Sequence, residues 1–149
     1  MATDKQKLGT FGEEQIRLAI DCPSCKRNKT LKRLPPNFKC ADIICDFCGY
    51  LAQVKSRTTE TPHILPKTIL GAAWGPQSER MEAGIFFPLF VVQTNKTRTR
   101  VNAFYLPSDL QTRDMFVPRK PLGPKARRAG WQGYYINLSG ISDRFVNLF

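Results

Sequence analysis

Ala41-Asp42-Ile43-Ile44-Cys45-Asp46-Phe47-Cys48-Gly49-Tyr50-Leu51-Ala52-Gln53-Val54-Lys55-Ser56 is the stretch that decides how this chain folds. Residues 38–44 are largely apolar and read as a strand. In 49–56, Tyr50, Ala52 and Val54 alternate with Leu51, Gln53 and Lys55, the period of two of a second strand. A Cys-x-x-Cys turn joins them, so the two runs are expected to pair as a hairpin. Residues i and i+2 of a strand share a face, which puts Gln53 beside Lys55 and lets Asp42 approach both. A carboxylate, an amide oxygen and an ammonium at one place suit Mg²⁺-assisted phosphodiester hydrolysis. The oxygens hold the metal, and the lysine orients a water and steadies developing charge. The same three residues also suit the polar solvent face of a strand, and spacing alone favours that plainer reading. Their position on apolar strands, beside a metal knuckle in a basic protein, is what raises the catalytic one.

The cysteines carry the strongest signal. Cys22-x-x-Cys25 and Cys45-x-x-Cys48 are two knuckles with 19 residues between them. Each turn converges two thiolates, and together they supply the four sulfurs of a structural zinc site. Two disulfides are the competing reading, disfavoured by the fifth cysteine, Cys40, and by a reducing compartment. Cys40 is expected to be a small buried hydrophobe in the first strand. His63, the lone histidine, stands beside Pro62 in a loop and is read as incidental.

Working outward, Thr10-x-x-Glu13 has the form of a helix capping box, and Ile16, Ala19 and Ile20 keep helical spacing, so a helix is expected over 10–20. Capping explains Glu13; an acid aimed from the helix at the metal site is the alternative. Residues 66–84, broken by Gly71, Gly75 and Pro76, suggest one or two short helices. Runs 85–94 and 101–106 read as paired strands around a turn at 95–100. Ser108 is placed to cap a short helix, and 134–138 and 144–149 read as final strands. Residues 117–133 carry no regular pattern. The sum is α/β (α+β), built on a mixed sheet. No second domain is apparent, so 1–149 is expected to be one domain.

At 149 residues and 42% apolar composition, the chain can fill one core. Its N-terminus lacks the apolar run of a signal peptide, and no stretch approaches the roughly 20 apolar residues that cross a bilayer. A cytoplasmic protein with no membrane partner is expected. The formal charge of +11 favours a polyanion, nucleic acid first. Thirteen of the 23 Lys and Arg fall in three stretches, 26–33, 96–100 and 119–128. Each is expected to be a loop able to grip a phosphate backbone, or else simply solvated. In the last, Arg119, Lys120, Arg127 and Arg128 suit phosphate or guanine. Trp131, flanked by Gly130 and Gly133, either stacks on a base or seats a methyl group, or closes the core.

These motifs, in this order, resemble the catalytic domain of the DpnI-type methyl-directed restriction endonucleases, within the PD-(D/E)xK nuclease superfamily. The pieces are Cys22-Pro-Ser-Cys25, the Asp42-to-Cys48 segment, Gln53-Val54-Lys55-Ser56, and the string from Arg119 to Trp131. The resemblance implies a mixed central sheet flanked by helices with an inserted four-Cys zinc site. It implies an Mg²⁺-dependent endonuclease acting on double-stranded DNA at GATC-like sites with N6-methyladenine. By position, Asp42 matches the metal-binding aspartate, Lys55 the catalytic lysine, and the Val54 carbonyl a further magnesium ligand. Gln53 stands where a glutamate is usual, although related modification-dependent nucleases also carry D…QxK. Cys22, Cys25, Cys45 and Cys48 match the zinc ligands, and Trp131 the tryptophan near the adenine methyl groups. The family's winged-helix reader, expected beyond the catalytic domain, has no counterpart in 1–149. Two other readings stand beside this one: a zinc-containing module that reads methylated DNA without cutting it, and a structure-specific nuclease such as a junction resolvase.

Overall fold

The structure, a computed structural model, describes residues 2–35, 38, 41–72, 75–119, 123–125 and 133–149. It is a mixed α/β arrangement in three layers. The middle layer is a six-stranded sheet of order β1-β2-β3-β5-β6-β9, comprising Leu31–Arg33, Ile43–Cys45, Leu51–Thr58, Leu89–Thr94, Val101–Leu106 and Val146–Asn147. The β3–β5 pair is parallel and every other pair antiparallel. Between β3 and β5 the chain makes β4 (Thr68–Ala72) and helix α2 (Gly75–Glu82).

Helix α1 (Asp4–Ala19) covers one face of this sheet. Its buried Gly12 and Ile16 meet a core of Ala52, Val54, Phe90, Val92 and Ala103. A second, three-stranded sheet, β4-β8-β7, covers the other face, with β7 at Phe116–Pro118 and β8 at Gly133–Asn137. There Ile69 and Ile136 pack with Leu89, Val91, Phe104 and Leu106. Strand β5 lies between the layers, and all six of its residues are buried. That is why Leu89-Phe90-Val91-Val92 reads as a continuous apolar run rather than an alternation.

One polar residue in that strand organises a loop. The Gln93 side chain is fully buried, and its Nε2 donates to the carbonyls of Pro62 (2.8 Å) and Ile64 (2.7 Å). Its Oε1 accepts from Arg57 Nη1 at 2.8 Å. With donors and acceptor engaged, the amide ties the segment after β3 to the sheet without an orphaned polar atom.

Several sequence expectations need correction. Helix α1 begins at Asp4, not near residue 10. Thr3 caps it, accepting from the Gln6 N–H at 3.2 Å while the Thr3 N–H donates to Gln6 Oε1 at 2.8 Å. Residues 4–9 contain one apolar residue, Leu8, so hydrophobic periodicity had nothing to register there. The strand expected over 38–44 is Ile43–Cys45, and the basic stretch 26–33 ends in strand β1. The region 66–84 holds a strand before its one helix, and 117–133 begins within strand β7. The expected flanking by helices holds on one face only. The opposite face is covered by a sheet, because β4, β7 and β8 pair with each other over long sequence separations.

Candidate active site and metal centre

The β2–β3 hairpin forms as expected: Ile43 pairs with Ala52 and Ile44 with Leu51. Its turn is the second cysteine knuckle. The two knuckles repeat one backbone pattern. Cys22 donates its N–H to the Arg27 carbonyl and accepts at its own carbonyl from the Lys26 N–H, at 3.0 and 2.9 Å. Cys45 does the same with the Tyr50 carbonyl and the Gly49 N–H, at 2.8 and 2.9 Å. The fifth residue of each turn needs positive φ, 66° at Lys26 and 79° at Gly49. Gly49 meets that demand freely; Lys26 meets it against its β-carbon, with its Nζ bonded to the Pro23 carbonyl at 2.7 Å. Arg27, from the first knuckle, stacks 3.7 Å over the Phe47 ring of the second.

The four Sγ atoms lie within 4.8 Å of one another. Cys22–Cys48 and Cys25–Cys45 are 3.6 and 3.7 Å apart. Four sulfurs at about 2.3 Å from a tetrahedral zinc stand about 3.8 Å apart, so this cluster has the shape and donor set of a structural zinc site. Burial would push the Cys45 thiol up, but the Thr30 hydroxyl at 3.2 Å and the N–H groups of Cys48 and Phe47 outweigh it and bring the pKa down to about 6. The thiolate a metal requires is thereby favoured at this position. Cys22, fully enclosed, is pushed up to about 12 by burial and waits on the metal to deprotonate it.

Next to this centre, Asp42 stands where β2 begins. Its N–H donates to the Ala52 carbonyl at 3.0 Å, and its Oδ2 accepts from the Val54 N–H at 2.8 Å. The carboxylate thus takes the ladder position that a strand carbonyl would fill, which brings it alongside 52–54. Gln53 and Lys55 are half-buried and alternate with buried Ala52 and Val54, so they share the expected face. Gln53 donates its N–H to the Pro88 carbonyl at 2.8 Å.

Glu13 enters from α1. With the cap at Thr3, Glu13 lies mid-helix, so the capping explanation for it is withdrawn. Its carboxyl is held above the ordinary range, first by burial and then by the charge of Asp42, against the opposing pull of Arg33. Arg33, on β1, reaches Glu13 at 3.5 Å, Glu14 at 3.8 Å and the Thr10 hydroxyl at 3.4 Å. Burial lowers the pKa of Lys55; Asp42 opposes this and Lys5 adds to it. Asp42, at the start of β2, therefore acts on both Glu13 of α1 and Lys55 of β3. Asp42, Glu13, the Gln53 amide and the Val54 carbonyl are all hard oxygen donors, and such a set suits a divalent cation such as Mg²⁺. Sequence reasoning missed Arg33 and Lys5 here. Both sit in charge-rich polar stretches whose pattern does not mark which residue turns inward.

Of the residues expected to meet DNA, Arg119 is described and lies just after β7, its guanidinium over the Tyr135 ring. Lys120, Arg127, Arg128 and Trp131, with Cys40, lie outside the described residues. Of the other basic stretches, Arg98 in the β5–β6 turn stacks over Phe11 of α1, and Arg100 donates to the Glu60 carbonyl at 3.1 Å. No described helix is long and apolar enough to cross a membrane.

A mixed α/β fold with a four-cysteine cluster built from two knuckles, one of them the β2–β3 turn, and an acid–acid–lysine cluster beside it, defines a zinc-type scaffold carrying a site suited to phosphodiester chemistry. The chain belongs to the DpnI, Dam-replacing family, whose model matches residues 2–147 of the 149. Membership brings with it the coarse assignment of a nuclease with DNA as its partner.

Proposed function

We propose that the chain is a Mg²⁺-dependent DNA endonuclease, stapled by structural zinc, that cuts adenine-methylated duplex DNA. The observation that carries this reading is the convergence of Glu13, Asp42 and Lys55 beside the Gln53-Val54 backbone, in a chain of this family. Asp42, Gln53 and the Val54 carbonyl would hold the magnesium, with Glu13 the neighbouring acid. When bound, the ion polarises the scissile phosphate and acidifies a water. The Lys55 Nζ would orient the attacking water and steady the charge that develops on the phosphate. Arg33 restrains Glu13, and the Val54 N–H restrains Asp42, so both acids meet substrate already oriented. Trp131, Arg127, Arg128, Lys120 and Arg119 would contact the duplex, with Trp131 against the N6-methyl groups.

The test is incubation of the purified chain with Mg²⁺ and matched plasmids, adenine-methylated and unmethylated. The methylated plasmid should be nicked or linearised and the other spared. Lys55→Ala should lose at least about 100-fold in rate while leaving the fold intact, since the half-buried amine is read as catalytic rather than structural. Binding without nicking would make the protein a reader of methylated DNA. Equal cutting of both plasmids would remove the methyl dependence.

A further inference from the structure

The three-stranded sheet packs one face on the core and leaves the other open. On the open face Leu70, Tyr135 and Val117 form one cross-strand row, because Leu70 pairs with Tyr135 and Tyr135 with Val117. They are 49%, 42% and 42% exposed. Arg119 follows Val117 by two residues and so shares its face. Its N–H donates to the Gly133 carbonyl at 2.9 Å. A β-carbon at Gly133 would stand 3.1 Å from the Gly71 carbonyl oxygen and at an ordinary contact distance, 3.7 Å, from both Cδ and Nη1 of Arg119, whose side chain crosses the gap above the glycine. The arginine sets its guanidinium 5.1 Å from the centroid of the Tyr135 ring. Among the described residues, no ion pair engages it.

We propose that Tyr135 is a positioning residue: it holds the Arg119 guanidinium flat on the open sheet as a preset fork for two adjacent acceptors on nucleic acid. Those acceptors are a pair of phosphate oxygens or the O6/N7 edge of a guanine. This rests on the DNA reading above and names a residue that reading does not use. An exposed aromatic bearing a stacked arginine, on the hairpin whose connection holds the stretch 119–128, suits a polyanion. A second copy suits it poorly. A two-fold contact through this face would bring two copies of Arg119 into one interface in a chain of charge +11.

The experiment measures affinity for a labelled duplex by fluorescence anisotropy without divalent ions, so that cleavage plays no part. Arg119→Lys keeps the charge and loses the fork; it should bind about tenfold more weakly. Tyr135→Leu keeps apolar area and should bind about threefold more weakly, whereas Tyr135→Phe keeps the ring and should bind like wild type. Because Tyr135 acts through Arg119, the Arg119→Lys/Tyr135→Leu double variant should be no weaker than Arg119→Lys alone. Losses seen equally on an alternating A·T duplex identify phosphate as the acceptor; losses confined to guanine-containing duplexes identify the base edge. Wild-type affinity in Tyr135→Leu, or losses that multiply in the double variant, would overturn the proposal while leaving the DNA reading intact. A wild-type chain that binds no duplex would overturn both.

Discussion

At Gly12 helix α1 packs directly against Ser56 of β3, and replacing this glycine should damage the site more than the fold. A β-carbon there would stand 1.8 Å from Ser56 Oγ, 3.0 Å from Ser56 Cβ and 3.5 Å from Val92 Cβ. Apolar carbons rest about 3.5–4.0 Å apart. Rotating the Ser56 hydroxyl, which has no hydrogen-bond partner among the described residues, relieves the first contact but not the second. The carbon–carbon contact requires helix and strand to part by about half an ångström. Overpacking of this kind costs about 1–3 kcal/mol, offset by about 1 kcal/mol that alanine gains over glycine within a helix. The net cost is about 1 kcal/mol at mid-range, so Gly12→Ala should melt roughly 2–4 °C lower. Glu13 is the next residue and must move with the helix. Since misplacing a reacting group by about 1 Å can cost about 100-fold, cleavage should fall about tenfold or more. Adding Ser56→Gly removes the obstructing carbon and should restore cleavage, even if glycine weakens the strand and melting recovers only in part. Rates of plasmid cleavage and thermal melts on the three proteins decide it. A Gly12→Ala protein that cuts and melts like wild type, or a double variant that stays inactive, would refute this account of the helix–strand contact.

Three further outcomes are expected. The purified chain should carry one zinc by elemental analysis. Stripping it should unfold at least residues 22–55 in hydrogen exchange, because structural zinc contributes about 10–16 kcal/mol, as much as a domain's whole stability; a chelated sample with unchanged protection contradicts the site. Glu13→Gln should melt above wild type at neutral pH in metal-free buffer. The folded pKa of Glu13 is raised, so its contribution is full below the ordinary glutamate pKa and lost as pH rises through the raised value. The advantage of Gln should vanish near pH ~3, well below the ordinary glutamate pKa, where both side chains are neutral; an advantage that persists there would mean a packing effect. Gln53→Glu should keep or increase cleavage, because a carboxylate serves a magnesium ligand at least as well as an amide; complete inactivation with normal melting would count against Gln53 as a ligand.

The hairpin and both knuckles were legible in the chain because their signals are local. Cys-x-x-Cys spacing dictates a turn whichever fold surrounds it, and the alternation Ala52-Gln53-Val54-Lys55 dictates which side chains share a face. The β5–β6 pair was readable for the same reason, its strands joined by the short turn at 95–100. The Asp42–Val54 hydrogen bond follows from that hairpin, whereas the gathering of the four sulfurs also needs the first knuckle, which the β1–β2 pairing brings alongside.

Other features depended on residues far apart in the chain. Thr3-x-x-Gln6 and Thr10-x-x-Glu13 are equally good capping boxes by pattern; the structure caps α1 at Thr3. That choice leaves Glu13 to turn toward Asp42, where Arg33 from the knuckle strand meets it. Strands β4, β7 and β8 became a second sheet only by pairing with each other, and none of the three carries a turn signal that names its partner. The Arg119–Tyr135 stack depends on that pairing. Local pattern reports backbone geometry over a few residues; which charged side chain is desolvated beside which is set by layers meeting, and no short window of sequence encodes that.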